Sequence, residues 1–257
     1  MVSKWKERIP DWDEPSPDND VIASKFQHET YENGNITIPY RLFAPKQCGK
    51  VPLVLFLHGA DVTGTDNEVH LRAHDIGTMF ARNEWQREHP CYILAPQYRN
   101  GIHWSRPKVM ENLVTLIGEL EVKYPDIDDE RIYLYGYSAG GIGGLKMMKT
   151  YPGLFKKALI LCAATSREDM EKLADTPFWL FHAPEDEFVA IGEMIQGYSQ
   201  GHLGSSVIYD IMKDEMGDKI RYTEYAPGEM KDKYHVNPHA VWVPVTRDEA
   251  AKQWLFE

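Results

Sequence analysis

Short apolar runs alternate with longer amphipathic stretches along most of the chain. The runs are almost continuously apolar and occupy residues 36–43, 51–57, 91–96, 132–137, 158–163, 178–183 and 222–225. Helical spacing of apolar residues is found at 78–87, 109–124, 207–216 and 248–256, and directly after residue 138. Strands that are apolar on both faces and separated by helices are typical of a parallel sheet. We therefore expect an α/β fold with a mostly parallel sheet of about eight strands and helices on both faces.

Composition and length fit one folded domain. Hydrophobic residues make up 43% and aromatic residues 12% of the 257 residues, which is enough for a packed core. No internal repeat or convincing linker interrupts residues 26–257, so we expect a single domain there. Residues 1–25 are charged and contain Pro10, Pro15 and Pro17. This composition predicts an extended N-terminal arm with little regular structure.

Charge and hydropathy limit the partners of the protein. A formal net charge of -11 disfavours nucleic acid and anionic membranes, because both bind basic surfaces. No run approaches the roughly 18 apolar residues that a membrane helix needs. The N-terminal residues lack the apolar segment of a signal peptide. These features predict a cytoplasmic protein, or a secreted one whose signal peptide lies outside this sequence.

The cysteines indicate neither a disulfide framework nor a metal site. Cys48, Cys91 and Cys162 are far apart, form no CxxC pattern and have no histidines at a zinc-binding spacing. Cys91 and Cys162 lie within apolar runs. We expect buried, reduced thiols and no metal or cofactor.

A candidate nucleophile lies in Gly136-Tyr137-Ser138-Ala139-Gly140, which matches the G-x-S-x-G pattern between a predicted strand and a predicted helix. In that context the chain reverses in a strained turn that raises the serine hydroxyl above the sheet edge. The two flanking glycines remove Cβ atoms that would collide with the neighbouring strand and helix. The short pattern alone also fits a glycine-rich turn with a serine N-cap. Its placement makes Ser138 our candidate nucleophile.

Acyl transfer at a serine also needs two backbone N–H groups that point at the developing oxyanion. In this architecture one donor is the residue after the nucleophile, here Ala139, and the other follows the strand at 51–57. We expect Ala60 to be the second donor, because Gly59 would let the backbone turn its amide inward. His58 is expected to order this turn rather than to take part in catalysis.

The acid of a triad should follow the nucleophile and lie just past the strand at 178–183. Glu185, Asp186 and Glu187 occupy that position. We choose Asp186, because its offset from His182 clears the strand and begins the loop. The two glutamates are interpreted as solvated loop charges.

The base should come last, which leaves His182, His202, His235 and His239. A histidine at the end of a strand, such as His182, is more often structural. His235 and His239 both lie in the long loop before the last helix, and spacing does not choose between them.

Four ordered blocks of sequence resemble a known group of enzymes. They are PLVLFLHGADVTGTDN, LAPQYRNGIHW, IDDERIYLYGYSAGGIGG and FWLFHAPEDEFV. The chain resembles, over residues 36–256, α/β-hydrolase esterases related to feruloyl and acetylxylan esterases and to polyhydroxybutyrate-depolymerase-like esterases, which include sequences called predicted peptidases. The resemblance implies the α/β-hydrolase fold and a Ser-Asp-His mechanism without metal or cofactor. In this group a tryptophan follows the base three residues later, as Trp242 follows His239, so the resemblance makes His239 the expected base.

The chain departs from this group beside the expected oxyanion hole. Asp61 stands where the group has glycine, and its carboxylate would repel a developing negative charge unless it pointed away or were hydrogen-bonded. Ala183-Pro184 and Ala190 also differ from the usual glycine and proline, and the KDKYHVNPHAVW segment is longer than expected. These differences affect the expected substrate more than the chemistry.

The resemblance implies a carboxylesterase acting on feruloyl or acetyl groups of plant cell-wall xylan, with a small ester or an oligosaccharide ester as substrate. Trp104, after the strand at 91–96, is expected to be either an aromatic platform for that substrate or a packing residue. A serine peptidase or amidase of the same fold is the enzymatic alternative. A non-catalytic ligand-binding protein is a third, disfavoured by the complete set of Ser138, Asp186 and His239.

Overall fold

The computed structural model describes residues 13–34, 36–46, 49–99, 103–170, 173–195 and 200–257. The strands within these ranges are β1 (Gln27–Asn33), β2 (Ile36–Phe43), β3 (Val51–Leu57), β4 (Tyr92–Pro96), β5 (Ile127–Tyr137), β6 (Lys157–Leu161), β7 (Ala164–Thr165), β8 (Phe178–His182), β9 (Leu203–Gly204) and β10 (Ile220–Glu224). One 8-stranded sheet has the order β1-β2-β4-β3-β5-β6-β8-β10. The short strands β7 and β9 pair antiparallel in a separate sheet.

Most of the large sheet is parallel, as predicted. Only β1 with β2 and β2 with β4 pair antiparallel among its described strands. All other neighbours in this sheet are parallel. The carboxyl ends of β3, β4, β5, β6, β8 and β10 therefore lie along one edge, where loops from several strands can bring functional side chains together.

The helices in the described ranges are α1 (Asn19–Ala23), α2 (Val69–Arg72), α3 (Asn83–Glu88), α4 (Pro107–Lys123), α5 (Ala139–Thr150), α6 (Arg167–Met170), α7 (Ser205–Met216), α8 (Glu229–Asp232), α9 (Trp242–Thr246) and α10 (Glu249–Phe256). Short 3-10 helices cover Ala60–Val62, Asp75–Ala81, Leu173–Asp175 and Gly217–Lys219. Within the part of the chain that the structure describes, no helix combines the length and apolar character needed to cross a membrane.

Central strands are apolar on both faces because helices pack on both sides. Every residue of β3 is buried, and successive side chains of a strand point to opposite faces. Leu55 belongs to one core cluster with Leu116 of α4. Phe56 belongs to the other with Trp85 of α3 and Leu255 of α10. The predicted layers of helix, sheet and helix are thus confirmed.

The prediction of an arm with little regular structure is wrong for Asn19–Ala23, which form α1. Ile22 and Ala23 are buried, and the Asn19 amide donates a hydrogen bond of 3.0 Å to the carbonyl oxygen of Leu71. A helix of one turn is too short to show an apolar period, so only its tertiary contacts reveal it. Residues 1–12 of the predicted arm lie outside the described residues.

Two further elements differ from the prediction. The edge strand β1 has the polar sequence QHETYEN and buries only one residue, so its sequence lacks the apolar run of the other strands. The helix predicted at 78–87 is instead the 3-10 helix Asp75–Ala81 followed by α3. Arg82 separates the two, because its backbone is extended with φ -65° and ψ 141°.

Candidate active site

Ser138 lies in a strained turn between β5 and α5. Its φ is 54° and its ψ is -122°, a region that costs a non-glycine residue about 1–3 kcal/mol. The turn is held on both sides, because the Ser138 amide donates to the carbonyl oxygen of Leu161 at 2.9 Å and the amide of Ile142 donates to the carbonyl of Ser138 at 2.9 Å. The strained strand-to-helix turn predicted from the sequence is therefore present.

The flanking glycines are required by close packing. A Cβ at Gly140 would lie 1.9 Å from the carbonyl oxygen of Leu57, and one at Gly136 would lie 2.7 Å from the carbonyl oxygen of Gly140. Both distances are shorter than any van der Waals contact. The helix that follows Ser138 can approach the sheet this closely only because these two side chains are absent.

Asp186 and His239 form a buried pair at the carboxyl edge of the sheet. Nδ1 of His239 lies 2.6 Å from Oδ2 of Asp186, and the side chains are 5% and 0% exposed. Oδ1 of Asp186 accepts the backbone amides of Phe188 at 2.8 Å and Val189 at 3.0 Å. The two residues selected from the sequence as acid and base are therefore brought together, with His239 rather than His235 facing the carboxylate.

Each member of this pair favours the charged form of the other, although burial disfavours both charges. Burial favours the neutral carboxylic acid, but the His239 and His182 rings outweigh it and hold the pKa of Asp186 well below its usual range. Burial likewise favours the neutral imidazole, but the Asp186 carboxylate outweighs it and holds the pKa of His239 well above its usual range. The arrangement thus stabilises the imidazolium that forms when His239 accepts a proton.

His182 has a role that sequence analysis did not assign. Its Nε2 lies 3.2 Å from Oδ2 of Asp186 and 2.9 Å from the carbonyl oxygen of Val189. Its Nδ1 lies 2.8 Å from Oγ of Ser205. This strand-terminal histidine is structural, as expected. It contacts Oδ2 of the candidate acid, whereas the two backbone amides donate to Oδ1. Its position four residues before Asp186, at a strand end, was the available signal.

Cys162 connects Ser138 to the histidine. Its thiol contacts both the His239 ring and the backbone amide of Ser138, and burial raises the pKa of this thiol, so it stays protonated. Cys162 directly follows β6, which lies between β5 and β8 in the sheet. Cys91 and Cys162 are free and buried, as predicted, while Cys48 lies outside the described residues.

The buried donors of this site do not suit a metal ion. Ligand atoms of Cys162, Asp186 and His239 lie within 4.8 Å of one another, the one such group found among the described residues. Zn²⁺ bound about 2.0–2.2 Å from nitrogen and oxygen ligands holds those ligand atoms more than about 3 Å apart. The separation of 2.6 Å between His239 and Asp186 is that of a direct hydrogen bond.

The two candidate oxyanion donors lie at helix N-termini near Ser138. Ala139 is the first residue of α5, and Ala60 begins the 3-10 helix Ala60–Val62. Among the described residues, no acceptor receives the amide hydrogen of Ala60 or of Ala139. The role of these two amides as oxyanion donors stays a prediction.

The structure corrects the role that the sequence predicted for Gly59. Its φ is -76° and its ψ is 173°, a conformation open to any residue, so it does not supply an unusual turn. A Cβ at Gly59 would instead lie 2.4 Å from Cε2 of Tyr137 and 2.6 Å from Oδ1 of Asp61. The Asp61 carboxylate accepts a hydrogen bond from the Tyr137 hydroxyl at 3.0 Å and lies 2.7 Å from Nε2 of His74. The Asp61 carboxylate is therefore hydrogen-bonded, which is one of the two conditions under which it is not expected to repel an oxyanion.

His58 orders this loop from beneath. It is fully buried, its Nδ1 lies 2.7 Å from the carbonyl oxygen of Gly59, and its ring stacks on Tyr98 at 4.8 Å. Burial lowers the pKa of His58 to about 4, so the ring is neutral near pH 7. These contacts agree with an ordering role.

Trp104 is a packing residue in this structure. It is 1% exposed, and its indole N–H donates to the carbonyl oxygen of His58 at 2.9 Å. A Cβ at Gly143 of α5 would lie 2.2 Å from the Trp104 Cβ. Burial and hydrogen bonding match the packing alternative of the sequence analysis.

A cavity of about 540 Å³ lies beyond the carboxyl end of β4, between β2 and the start of α4. Gln97, Tyr98 and Trp104 line it, and its charged lining residues among those described, Arg99, Arg106 and Lys108, are all basic. β3 lies between β4 and β5 in the sheet, and the cavity also reaches Thr30 of β1 and Thr37 of β2, so it lies on the β1 side of the nucleophile turn.

Comparison with known proteins supports the fold. No protein-family model and no curated protein matches the chain. A thermostable esterase of known structure superposes with a TM-score of 0.79 and 33% identity, over 92% of this chain and 64% of its own. An acylaminoacyl peptidase from Pyrococcus horikoshii gives a TM-score of 0.62 and 15% identity over 90% of this chain and 40% of its own. Est1E from Butyrivibrio proteoclasticus gives a TM-score of 0.58 and 14% identity over 89% of this chain and 97% of its own.

These similarities and the sheet order show that the chain has the α/β-hydrolase fold, as predicted. The chain spans 64% of the length of the thermostable esterase and 40% of the length of the Pyrococcus peptidase. The neighbours are thus esterases and acylaminoacyl peptidases built on a common fold.

Proposed function

We propose that the protein is a serine carboxylesterase in which Ser138 is the nucleophile, His239 the general base and Asp186 the acid that orients it. The observation that carries this proposal is the buried Asp186–His239 pair at 2.6 Å, at the same sheet edge as a serine with φ 54°. A hydroxyl raised on a strained turn and a histidine oriented by a carboxylate are the parts that nucleophilic acyl transfer needs.

The reaction proceeds in two halves. Nε2 of His239 takes the Ser138 proton as Oγ attacks the ester carbonyl, and the amides of Ala60 and Ala139 stabilise the oxyanion. The ester C–O bond then breaks, and the alcohol leaves with the proton from His239. Water repeats the attack on the acyl-enzyme with His239 again as base, which releases the acid and restores Ser138.

We propose feruloyl or acetyl esters of xylan-type sugars as the substrates. The cavity beyond β4 supports this, because its polar and basic lining offers hydrogen bonds to a sugar. Arg99 and Arg106 would donate hydrogen bonds to sugar hydroxyls. On the other side, the Phe188 ring lies 5.1 Å from the His239 ring and is 40% exposed, where it would contact the acyl group.

A serine peptidase or amidase is the second candidate, favoured by the acylaminoacyl peptidases among the structural neighbours. The same triad chemistry cleaves amides. A non-catalytic ligand-binding role is disfavoured by the complete set of Ser138, Asp186 and His239.

The test compares wild type, Ser138→Ala and Ser24→Ala on a chromogenic acetate ester. Ser24 follows α1, is exposed, and donates its hydroxyl to the carbonyl oxygen of Val21, so its variant should match wild type. Ser138→Ala should lose at least about 10³-fold in kcat/KM, and equal turnover would refute the assignment. A panel of feruloylated and acetylated xylo-oligosaccharides and a peptide anilide then separates the classes. Turnover of simple esters with neither sugar ester cleaved would reject the xylan proposal alone.

A further inference from the structure

A buried charge cluster outside the candidate triad includes one residue of the oxyanion loop, the loop 58–61 that carries Ala60. It consists of Asp13, Asp61 and His74, whose side chains are 7%, 10% and 1% exposed. Nδ1 of His74 lies 2.7 Å from Oδ1 of Asp13, and Nε2 lies 2.7 Å from Oδ2 of Asp61. One imidazole thus bridges two carboxylates that are 48 residues apart in the sequence.

The cluster contacts one residue close in sequence to Ser138 and one close in sequence to His239. Asp61 directly follows Ala60 and accepts the hydroxyl of Tyr137, the residue before Ser138, at 3.0 Å. Asp13 accepts the indole N–H of Trp242 at 3.1 Å, and Trp242 lies three residues after His239. The Tyr137 and Trp242 rings are themselves 4.5 Å apart.

The cluster holds a cation at its centre. Burial alone would lower the pKa of His74, but the Asp13 and Asp61 carboxylates outweigh it and raise this pKa to about 10. The single positive charge of His74 offsets one of the two carboxylate charges. Oδ1 of Asp61 accepts the Tyr137 hydroxyl, and Oδ1 of Asp13, the oxygen that faces His74, also accepts the Trp242 indole N–H. Asp61 is therefore held by a cation and a hydroxyl donor, and both weaken its repulsion of an oxyanion at Ala60.

The loop has little freedom to move above this cluster. The close approach of Gly59 to Tyr137 and Asp61 leaves no room for even a Cβ. The Asp61 carboxylate is thus packed directly against the backbone of Gly59.

We infer that His74 is a positioning residue, which through Asp61 sets the Ala60 amide for oxyanion binding and ties that loop to the N-terminal segment at Asp13. This inference rests on the proposed esterase function. Oxyanion donors act on charge that develops in the transition state, so misplacing one lowers kcat and leaves the binding of a neutral ester almost unchanged.

The experiment measures kcat and KM on a neutral acetate ester for wild type, His74→Gln, Asp61→Asn and the double variant. Glutamine keeps a donor but loses the charge. We expect kcat to fall about 10- to 100-fold in each single variant, as for a misplacement of about 1 Å, with KM changed less than about twofold. In the double variant, kcat should fall by much less than the product of the two single-variant factors, because both substitutions act through one contact.

Asp169→Asn is the matched control. Asp169 is also 10% exposed and pairs with two cations, Lys146 and Lys149, but it does not touch the oxyanion loop. Its kcat should equal that of wild type. A loss equal to that of His74→Gln would mean that any buried charge matters equally, and would overturn the inference.

A trifluoromethyl ketone, which forms a tetrahedral adduct with a serine, gives a second readout. Its inhibition constant should rise by the same factor as kcat falls, which a merely structural role would not produce. Unchanged kcat in folded His74→Gln, or a raised KM with an unchanged inhibition constant, would overturn the inference. If His74→Gln does not fold, Asp61→Asn, which leaves the His74–Asp13 pair intact, decides by the same criteria. Wild-type protein that cleaves no ester would instead reject the proposed function.

Discussion

Asp186→Asn removes one charge from the candidate triad and leaves the shape of the side chain unchanged. Oδ1 of Asp186 accepts the amides of Phe188 and Val189 at 2.8 and 3.0 Å, so the asparagine must place its carbonyl oxygen there. Its NH₂ group then faces Nδ1 of His239, which has to accept a hydrogen bond instead of donating one. The proton of the neutral ring moves to Nε2, the atom that must take the Ser138 proton.

Two losses add up in this variant. The base is held in the wrong tautomer, and the imidazolium of the transition state loses a charge-assisted hydrogen bond that contributes about 1.5–3 kcal/mol. Substitution of this kind in serine-protease triads lowers kcat by about 10⁴-fold. We expect kcat to fall by about 10³- to 10⁴-fold, which corresponds to about 4–5.5 kcal/mol in the barrier.

The assay is steady-state release of the chromophore from an acetate ester, with thermal unfolding as the check that the variant is folded. Glu187→Gln is the matched control, because Glu187 is the exposed neighbour of Asp186 and should be dispensable. A folded Asp186→Asn variant that loses less than about tenfold in kcat would refute the assignment of the acid, since the tautomer argument requires a larger loss. Equal losses in both variants would refute it as well.

Three other predictions test the packing and electrostatics of the site. Gly140→Ala should cost about 3 kcal/mol or more in the free energy of unfolding, because its Cβ would lie 1.9 Å from the Leu57 carbonyl oxygen; an unchanged urea midpoint would contradict this. The acidic limb of the kcat/KM profile should lie above the ordinary histidine pKa of about 6.5, because the pKa of His239 is raised and activity is lost as pH falls through it. A limb at or below that value would refute the electrostatic argument. Trp104→Phe loses the indole hydrogen bond to His58, so we expect about 1–3 kcal/mol of destabilisation in thermal unfolding, and full stability would argue against its packing role.

The local parts of the site could be predicted from sequence. The turn at Ser138 follows from two glycines and a strand-helix junction, because the steric requirement is met by residues adjacent in the chain. Asp186 could be selected for a similar reason, since an acid just past a parallel strand has a limited number of places to lie. The choice of His239 over His235 could not be made from spacing and depended on the resemblance, and in the structure His239 is the one that contacts Asp186.

Contacts between distant segments could not be predicted in this way. Asp13, Asp61 and His74 share no spacing rule, and their meeting depends on how the N-terminal segment and the Asp75–Ala81 helix pack against the sheet edge. Sequence analysis therefore expected Asp61 to repel an oxyanion unless its carboxylate pointed away or were hydrogen-bonded, and could not name His74 as its partner. The short helix α1 and the polar strand β1 were missed for the same reason, because tertiary contacts rather than an apolar period determine them.

The nucleophilic role of Ser138 is tested most directly by covalent labelling with a fluorophosphonate, followed by intact-mass measurement and peptide mapping. We predict one adduct per chain, on the peptide that contains Ser138, and no adduct with Ser138→Ala. Labelling should also be slowed in Asp186→Asn, because the base is needed to activate the hydroxyl. An adduct on another residue, or no adduct in protein that still hydrolyses esters, would contradict the assignment of Ser138.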